Sequence, residues 1–196
     1  DDLVVGFGLA RLRISVAQSR GIVREARRRY RRHNAGRRYV EREFFAALAA
    51  SHHSQPDPDN VRYRLRRDSR VLEALERMWP VLTPAQLLRD LFGSKALIAS
   101  AAGEHFSEEE SLTLFRPRGE SLSDYRWSDA DVALLDEAYS GLGPRLDRQR
   151  KARDPEIRTF GHIVVDETQD HTPMALRMIS RRSLNGSMTL VGDIAQ

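Results

Sequence analysis

Two short apolar runs near the end of the chain, each followed by a carboxylate, constrain the fold more than any other feature. Residues 162–166 are His-Ile-Val-Val-Asp, and residues 188–193 are Met-Thr-Leu-Val-Gly-Asp. Continuous aliphatic runs of this length are typical of strands that are buried on both faces of a parallel sheet. Thr172-Pro173 between them marks a helix start. The pattern predicts a strand–helix–strand unit whose carboxylates lie at the carboxyl edge of the sheet, where α/β proteins bind ligands.

The rest of the chain is predicted to be mostly helical. Alternation within residues 3–15 predicts a strand pair, with Leu12 and Ile14 on one face and Arg11 and Arg13 on the other. Residues 52–60 contain two prolines and are predicted to form a loop. Apolar periodicity and capping signals predict helices that begin near Val16, Arg37, Asp68, Thr83, Ser94, Ser107 and Ser128, the first of which is expected to reach His33. The fold class is therefore α/β overall, with a mainly helical region at 1–155 and an incomplete slice of a parallel sheet at 156–196.

The composition excludes several classes of protein. The 196 residues include no cysteine, which rules out disulfides and cysteine-ligated zinc and fits a cytoplasmic protein. No run approaches the roughly 20 apolar residues that a transmembrane helix needs, so we expect no membrane partner. The first residues, Asp1-Asp2-Leu3, carry neither an initiator methionine nor a signal-peptide pattern, so we expect the chain to be a piece of a longer protein.

Charge is distributed unevenly along the chain. Residues 1–100 contain 20 basic and 11 acidic residues, whereas residues 101–196 contain 12 basic and 17 acidic ones. One face of the first helix would form a candidate phosphate-binding surface for nucleic acid, made by Arg24, Arg28, Arg31 and Arg32. The alternative is a solvated helix in an arginine-rich protein.

Residues 163–170, Ile-Val-Val-Asp-Glu-Thr-Gln-Asp, form the segment that is best suited to chemistry. The apolar strand would hold its end rigid, and the first carboxylate beyond it, Asp166, can hold Mg²⁺, usually through water. Glu167, which would not bind the metal, can take a proton from a water that attacks a γ-phosphate. Residues 132–137 also place Asp-Glu after an apolar run. Their flanking capping box and Gly141 predict a helix instead, so we assign Asp136 and Glu137 a structural role.

The sequences DETQD at 166–170 and TLVGDIAQ at 189–196 resemble motifs II and III of the UvrD/Rep-like superfamily 1 helicases, which usually read DExQD and GDxxQ. This resemblance implies a RecA-like domain that binds ATP with Mg²⁺, and residues 156–196 would be a part of it. The alternative is an ordinary α/β strand pair.

The resemblance also implies a role for each matching residue. Asp166 would bind Mg²⁺, largely through water, and Glu167 would activate the attacking water. The polar residues that would contact the nucleotide or link its site to neighbouring motifs are Gln169, Asp170, Asp193 and Gln196. Of these, Gln196 would sense the γ-phosphate and is counted with Glu167 as catalytic.

The surroundings of these motifs resemble HelD, a family of helicase-like ATPases that bind bacterial RNA polymerase and recycle stalled complexes. The resemblance lies in residues 158–162 and within 173–184, and residues 78–84 and 127–138 resemble the actinobacterial branch. It implies the RNA polymerase core as partner, and residues 1–155 as a helical insertion that opens the polymerase clamp. The acidic stretch from Glu104 to Asp131 would suit a loop that enters the polymerase channel. The alternative is a set of solvated capping acids.

The sequence departs from the family pattern in one important respect. No G-x-x-x-x-G-K-[ST] phosphate-binding loop, or Walker A motif, occurs in the chain, so we do not expect this chain alone to hydrolyse ATP. Three functions therefore compete. The first is a polymerase-binding motor of the HelD type, the second is a DNA-unwinding repair helicase with the same core, and the third is a non-catalytic protein-interaction module. We favour the first.

Overall fold

The computed structural model describes residues 1–119, 124–145 and 157–193. The described residues form two compact units. The first comprises residues 1–82 and 141–145, and the second comprises residues 83–119, 124–140 and 157–193. The division proposed above, with an insertion at 1–155 and a sheet segment at 156–196, stays a prediction. Helices and short sheets occur in the same chain, so the fold is of the mixed α/β class.

The first unit is a β-hairpin packed on helices. Its elements are β1 (Leu3–Phe7), β2 (Ala10–Ile14), α1 (Val16–Arg29), a 3-10 helix (His33–Gly36), α2 (Arg37–Ala50), α3 (Pro58–Leu65) and α4 (Ser69–Met78). The two strands are antiparallel, with Val5 opposite Leu12, and Gly8 turns the chain between them at a φ of 63°. Leu12 and Ile14 are buried whereas Arg11 and Arg13 are exposed, which confirms the predicted alternation.

The core of this unit forms around α2. Phe44, Leu48 and Val40 of α2 are fully buried and belong to one cluster with Val5 and Leu12 of the hairpin. Residues four apart lie on one face of a helix, so a single stripe of α2 contacts both the hairpin and the other helices. Burial of such side chains contributes about 1.5–3 kcal/mol each.

The first helix ends earlier than its basic pattern predicts. The expectation that it reaches His33 is wrong, because α1 stops at Arg29 and Tyr30 has an extended backbone. The cause is tertiary. The ring of His33 stacks on Trp79 at 4.5 Å, and the indole N–H of Trp79 donates to the carbonyl oxygen of His33 at 2.7 Å. These contacts require a backbone path that a continued helix would not follow.

Asn34, which is buried, fixes the next residues in the same way. Its side-chain amide donates to the carbonyl oxygens of Leu82 at 3.0 Å and Gly143 at 2.8 Å. Its side-chain oxygen accepts the Leu82 backbone N–H at 3.2 Å. One amide side chain thus joins three distant segments of the first unit, and satisfied buried polar groups of this kind specify a single arrangement.

The expectation of a loop at residues 52–60 is wrong for its last three residues, because a short helix, α3, begins at Pro58. Asp57 caps it by accepting the Asn60 backbone N–H at 3.1 Å, and Pro58 occupies the first helical position. Proline is favoured there because its missing N–H would have no partner within the helix.

The second unit combines short helices with a small parallel sheet. Its elements are α5 (Pro84–Phe92), α6 (Lys95–Ala102), α7 (Glu108–Thr113), α8 (Asp129–Leu142), whose last two residues belong to the first unit, β3 (Ile163–Val165), a 3-10 helix (Thr168–Asp170), α9 (Pro173–Ser180) and β4 (Met188–Leu190). β3 pairs with β4 in parallel, with Val164 opposite Thr189, and α9 connects them. The predicted strand–helix–strand unit is confirmed.

The expected burial of these strands on both faces is wrong. Val165 is buried, but Val164 is 66% exposed and Leu190 is 56% exposed. The described part of this sheet has only two strands. Val164 and its partner Thr189 leave one face exposed, and on the other face Val165 is buried while its partner Leu190 stays largely exposed.

The start of α8 is held by a buried ion pair. Asp131 is 0% exposed, and its carboxylate accepts two hydrogen bonds from the Arg116 guanidinium, at 2.8 and 3.0 Å. It also accepts the backbone N–H and hydroxyl of Ser128, at 2.8 and 2.9 Å. The hydrogen bonds from Arg116 hold the pKa of the Asp131 carboxyl below its usual value, although burial acts in the opposite direction. The bond from the Ser128 N–H to the Asp131 carboxylate is one half of the predicted capping box, and Arg116 reinforces it.

Among the described residues, no helix combines the length and the apolar composition that crossing a bilayer requires.

We predict that Asp131→Asn lowers the free energy of unfolding by about 2–3 kcal/mol at pH 7, because a charged hydrogen-bond partner of Arg116 is lost. The pKa of Asp131 is lower in the folded chain than the ordinary aspartate value of about 3.9. The contribution of the ionised Asp131 to the free energy of unfolding is therefore complete above the ordinary aspartate pKa. It is lost as the pH falls through the lower pKa of the folded chain. Urea unfolding at pH 7 and pH 3 measures both effects.

The control for this prediction is Glu104→Gln, which removes an exposed carboxylate from the same unit and should change stability by less than about 0.5 kcal/mol. The prediction is wrong if Asp131→Asn and the unaltered chain lose stability equally between pH 7 and pH 3.

Candidate functional site

The parallel pairing of β3 and β4 brings the segment 166–170 next to the segment that follows β4, the two segments that carry the helicase-like motifs. The ladder continues past the strands, because the Val191 N–H donates to the Val165 carbonyl oxygen at 2.8 Å. Thr168 then donates both its backbone N–H, at 2.9 Å, and its hydroxyl, at 2.8 Å, to the Val191 carbonyl oxygen. The segment 166–170 is therefore fastened directly to the segment that follows β4.

At the amino-terminal end of the two strands, the His162 side chain connects β3 to β4 a second time. Its two ring nitrogens lie 2.7 Å from the Ser187 hydroxyl and 3.1 Å from the Thr189 hydroxyl. Sequence reasoning missed this role, although a histidine beside a strand and hydroxyl residues on its partner strand were visible in the sequence.

Gln169 bridges the two motifs with both ends of its amide. Its Nε2 donates to the Glu167 carboxylate at 2.7 Å, and its Oε1 accepts the Asp193 backbone N–H at 3.1 Å. Gly192 leaves the space for this bridge, because a Cβ added there would lie 2.6 Å from the Gln169 Oε1. The structure therefore brings together Gln169, Glu167 and Asp193, three of the residues that the motifs single out.

Glu167 has a left-handed backbone, with φ 49° and ψ 47°. Only one other non-glycine residue in the described ranges, Gln55, has a positive φ. Such a conformation costs a non-glycine residue about 1–2 kcal/mol, and strain of this kind clusters at functional sites. It turns the exposed Glu167 side chain toward the Gln169 amide and lets its N–H donate to the Asp166 carboxylate at 2.9 Å.

The motifs also predict Asp170 and Gln196 as site residues. Asp170 ends the 3-10 turn and is exposed, and its backbone N–H donates to the Glu167 carbonyl oxygen at 2.9 Å. Gln196 lies outside the described residues, so its expected contact with a γ-phosphate stays a prediction.

The suitability of this site for Mg²⁺ depends on Asp166. In the described ranges, no group of three or more acidic or histidine side chains is placed to hold a metal ion. Asp166 is exposed, and one of its carboxylate oxygens accepts the Glu167 N–H while the other accepts no bond from a described residue. A single free carboxylate oxygen in contact with water fits Mg²⁺, which keeps several waters and takes one or two protein ligands beside phosphate.

The second Asp-Glu pair of the chain has the structural role that its helical pattern predicted. Asp136 and Glu137 lie within α8 and face the arginines near the end of α9. Arg181 donates to Asp136 at 2.7 Å and also to Glu137, and Arg182 donates to Asp136. Arg177 lies 3.1 Å from Glu137. Sequence reasoning did not identify these arginines as the partners.

The predicted basic face of the first helix is only partly formed. Arg24 and Arg28 are exposed on α1, whereas Arg31 and Arg32 follow its end and do not continue that face. This part of the expectation is wrong, because α1 ends at Arg29 for the tertiary reasons given above.

Neither a protein-family model nor a curated protein matches this chain. The geometry of the two motifs is therefore what carries the functional argument.

We predict that Gly192→Ala displaces Gln169 and breaks its bond to the Asp193 N–H, because the added Cβ has no room. Hydrogen exchange of the Asp193 amide, followed by NMR, should become about fivefold faster, as expected for the loss of a bond of about 1 kcal/mol. Gly161→Ala is the matched control, since a Cβ there meets nothing within 4 Å. In a Gln169→Ala background, Gly192→Ala should have little further effect. An equal effect in both backgrounds would contradict the proposed cause.

Proposed function

We propose that this chain is part of a helicase-like ATPase motor of the UvrD/Rep-like type, closest to HelD, that binds bacterial RNA polymerase and remodels or recycles stalled complexes. The observation that carries the proposal is the Gln169 amide, which joins the Glu167 carboxylate to the Asp193 backbone N–H. This bridge links the two segments whose sequences resemble motifs II and III. An ordinary strand pair has no need of it.

The strand–helix–strand arrangement supports a RecA-like domain as the source of this segment. β3 and β4 are parallel, and the carboxylates follow the carboxyl end of β3. Open α/β sheets bind their ligands at that edge. In this proposal, residues outside this chain supply the loop that cradles the phosphates.

The proposal gives Asp166 and Glu167 different tasks. Asp166 offers a free carboxylate oxygen to Mg²⁺, and Mg²⁺ bound with ATP would neutralise charge on the phosphates. Glu167 keeps its carboxylate exposed, where it can take a proton from a water molecule. Gln169 donates to one oxygen of Glu167 and so orients the carboxylate. Its Oε1 contact with the Asp193 N–H makes that orientation depend on the segment after β4.

Binding to polymerase is proposed for the helical part of the chain. Glu108, Glu109 and Glu110 form the first turn of α7 and are exposed, as are Glu104 and Phe106 before it. Exposed acidic side chains with an exposed apolar side chain near them in the sequence suit a basic partner surface.

A DNA-unwinding helicase is the second candidate, and the exposed arginines of α1 favour it. Arg24 and Arg27 form no ion pair with a described residue, so both are available to phosphate. The experiment below separates this candidate from the first.

We predict that the chain elutes with bacterial core RNA polymerase on size exclusion, and that excess single-stranded DNA does not displace it. Glu108→Gln with Glu109→Gln should weaken the complex by about tenfold, because two exposed charges are removed. The matched control, Asp59→Asn with Glu73→Gln, removes two exposed carboxylates of the first unit and should leave the complex intact. Capture of DNA without polymerase would favour the second candidate instead.

We predict that Mn²⁺, used as a paramagnetic substitute for Mg²⁺, broadens the amide NMR signals of residues 165–168. Asp166→Asn should remove the broadening, because it removes the free carboxylate oxygen. Glu167→Gln should keep it, because Glu167 is proposed as a base and can still accept from Gln169 after the change. Equal broadening in both variants would show that Asp166 does not hold the metal.

A further inference from the structure

The first unit carries a groove of about 870 Å³, lined by α1, α4 and residues of the hairpin. Its sides are basic. Five arginines line it, and we call them the groove arginines: Arg20, Arg24, Arg27, Arg28 and Arg77. Arg28 lies 3.8 Å from Glu25, and the other four form no ion pair within the described ranges. Asp1 is the single acidic residue among the described residues of the lining. The groove therefore presents a strong and largely uncompensated positive charge.

The floor of the same groove is apolar. Ile14 and Phe44, both buried, lie beneath it, and the half-buried side chains of Leu3, Val23 and Met78 form its surface. Arginine combines a charged guanidinium with an apolar stem. One ligand can therefore pair with the arginines at the sides of the groove and pack on its apolar floor at the same time. The ligand that fits must therefore be negative at its edges and apolar at its centre.

Nucleic acid fits this groove poorly. Proteins that bind single strands without reading the sequence stack bases on exposed aromatic rings. Among the described residues that line the groove, Phe44 is the only aromatic one, and it is fully buried. Near the end of α1, Tyr30 packs against Tyr39 with ring centroids 6.0 Å apart, and the guanidinium of Arg29 covers the Tyr39 ring at 4.9 Å. These rings are already occupied by neighbouring side chains.

We propose that this groove binds an acidic amphipathic segment of a partner protein. Its carboxylates pair with the groove arginines, and its apolar side chains pack on Val23 and Met78. Helix-in-groove recognition works in this way, with apolar anchors at helical spacing and charges at the rim. No residue of the proposed nucleotide site takes part, so the two proposals can fail independently.

Fluorescence anisotropy with the complete chain tests the proposal. The first probe is a fluorescein-labelled peptide of about twelve residues, in which leucines recur at helical spacing among glutamates. The second probe has serine in place of each leucine, and the third is a labelled single strand of about twelve thymidines. The leucine peptide is expected to bind, and the serine peptide is expected to bind about tenfold more weakly because its apolar contact is lost.

Two double variants with equal changes in charge locate the site. Arg24→Gln with Arg27→Gln neutralises two groove arginines on the exposed side of α1 and should weaken binding of the leucine peptide by about tenfold or more. Arg11→Gln with Arg67→Gln neutralises two exposed arginines outside the groove and should weaken it by less than about threefold. Unchanged thermal unfolding midpoints verify that both variants fold.

Four results would each overturn the proposal. They are no binding of the leucine peptide, equal binding of the leucine and serine peptides, equal losses in the two double variants, and tighter binding of the thymidine strand than of the leucine peptide. The last result would assign the groove to nucleic acid.

Discussion

The candidate site depends on the parallel pairing of two strands of only three residues each. Because β3 and β4 run in the same direction, the segments that follow them leave the sheet at one edge. The pairing then continues into the site itself through Val191 and Thr168. Without this register, Gln169 could not reach both the Glu167 carboxylate and the Asp193 N–H. The register is therefore a condition for every role that we assign at the site.

The helix that connects these strands, α9, is also anchored at its carboxyl-terminal end. Two residues separate the 166–170 segment from α9, and Arg181 at the far end of α9 pairs with Asp136 and Glu137 of α8. Asp136 is buried, so this contact is protected from solvent more than a surface ion pair would be. A crossover fixed at both ends limits how far the two motif segments can shift relative to each other. The helical part of the second unit thus supports the site without contributing a residue to it.

Much of this fold could be predicted from the sequence, because the signals were local. The alternation around Leu12, the capping box of α5 and the apolar runs of β3 and β4 all depend on neighbours within a few positions. The end of α1 could not be predicted in this way. It depends on the contacts of His33 with Trp79, 46 positions away along the chain, and the residues that follow are fixed by Asn34, whose amide bonds reach 48 and 109 positions away. The same limit applies to the site. The motif residues were identifiable, but the two-ended bridge made by Gln169 and the left-handed backbone of Glu167 require coordinates.

Arginine shows why composition alone predicts so little about function here. The sequence contains nearly all of its basic charge as arginine, and that total says nothing about which guanidinium groups are available. In the second unit, Arg116 and Arg181 are committed to carboxylates that are largely removed from solvent, so they stabilise the fold. In the first unit, Arg24 and Arg27 are exposed beside the apolar floor of the groove and form no ion pair with a described residue. Burial of the partner carboxylate decides between these roles. If an arginine left a buried carboxylate to bind a ligand, the unpaired buried charge would cost more free energy than the new contact would supply. The available arginines are therefore the ones that no buried acid requires.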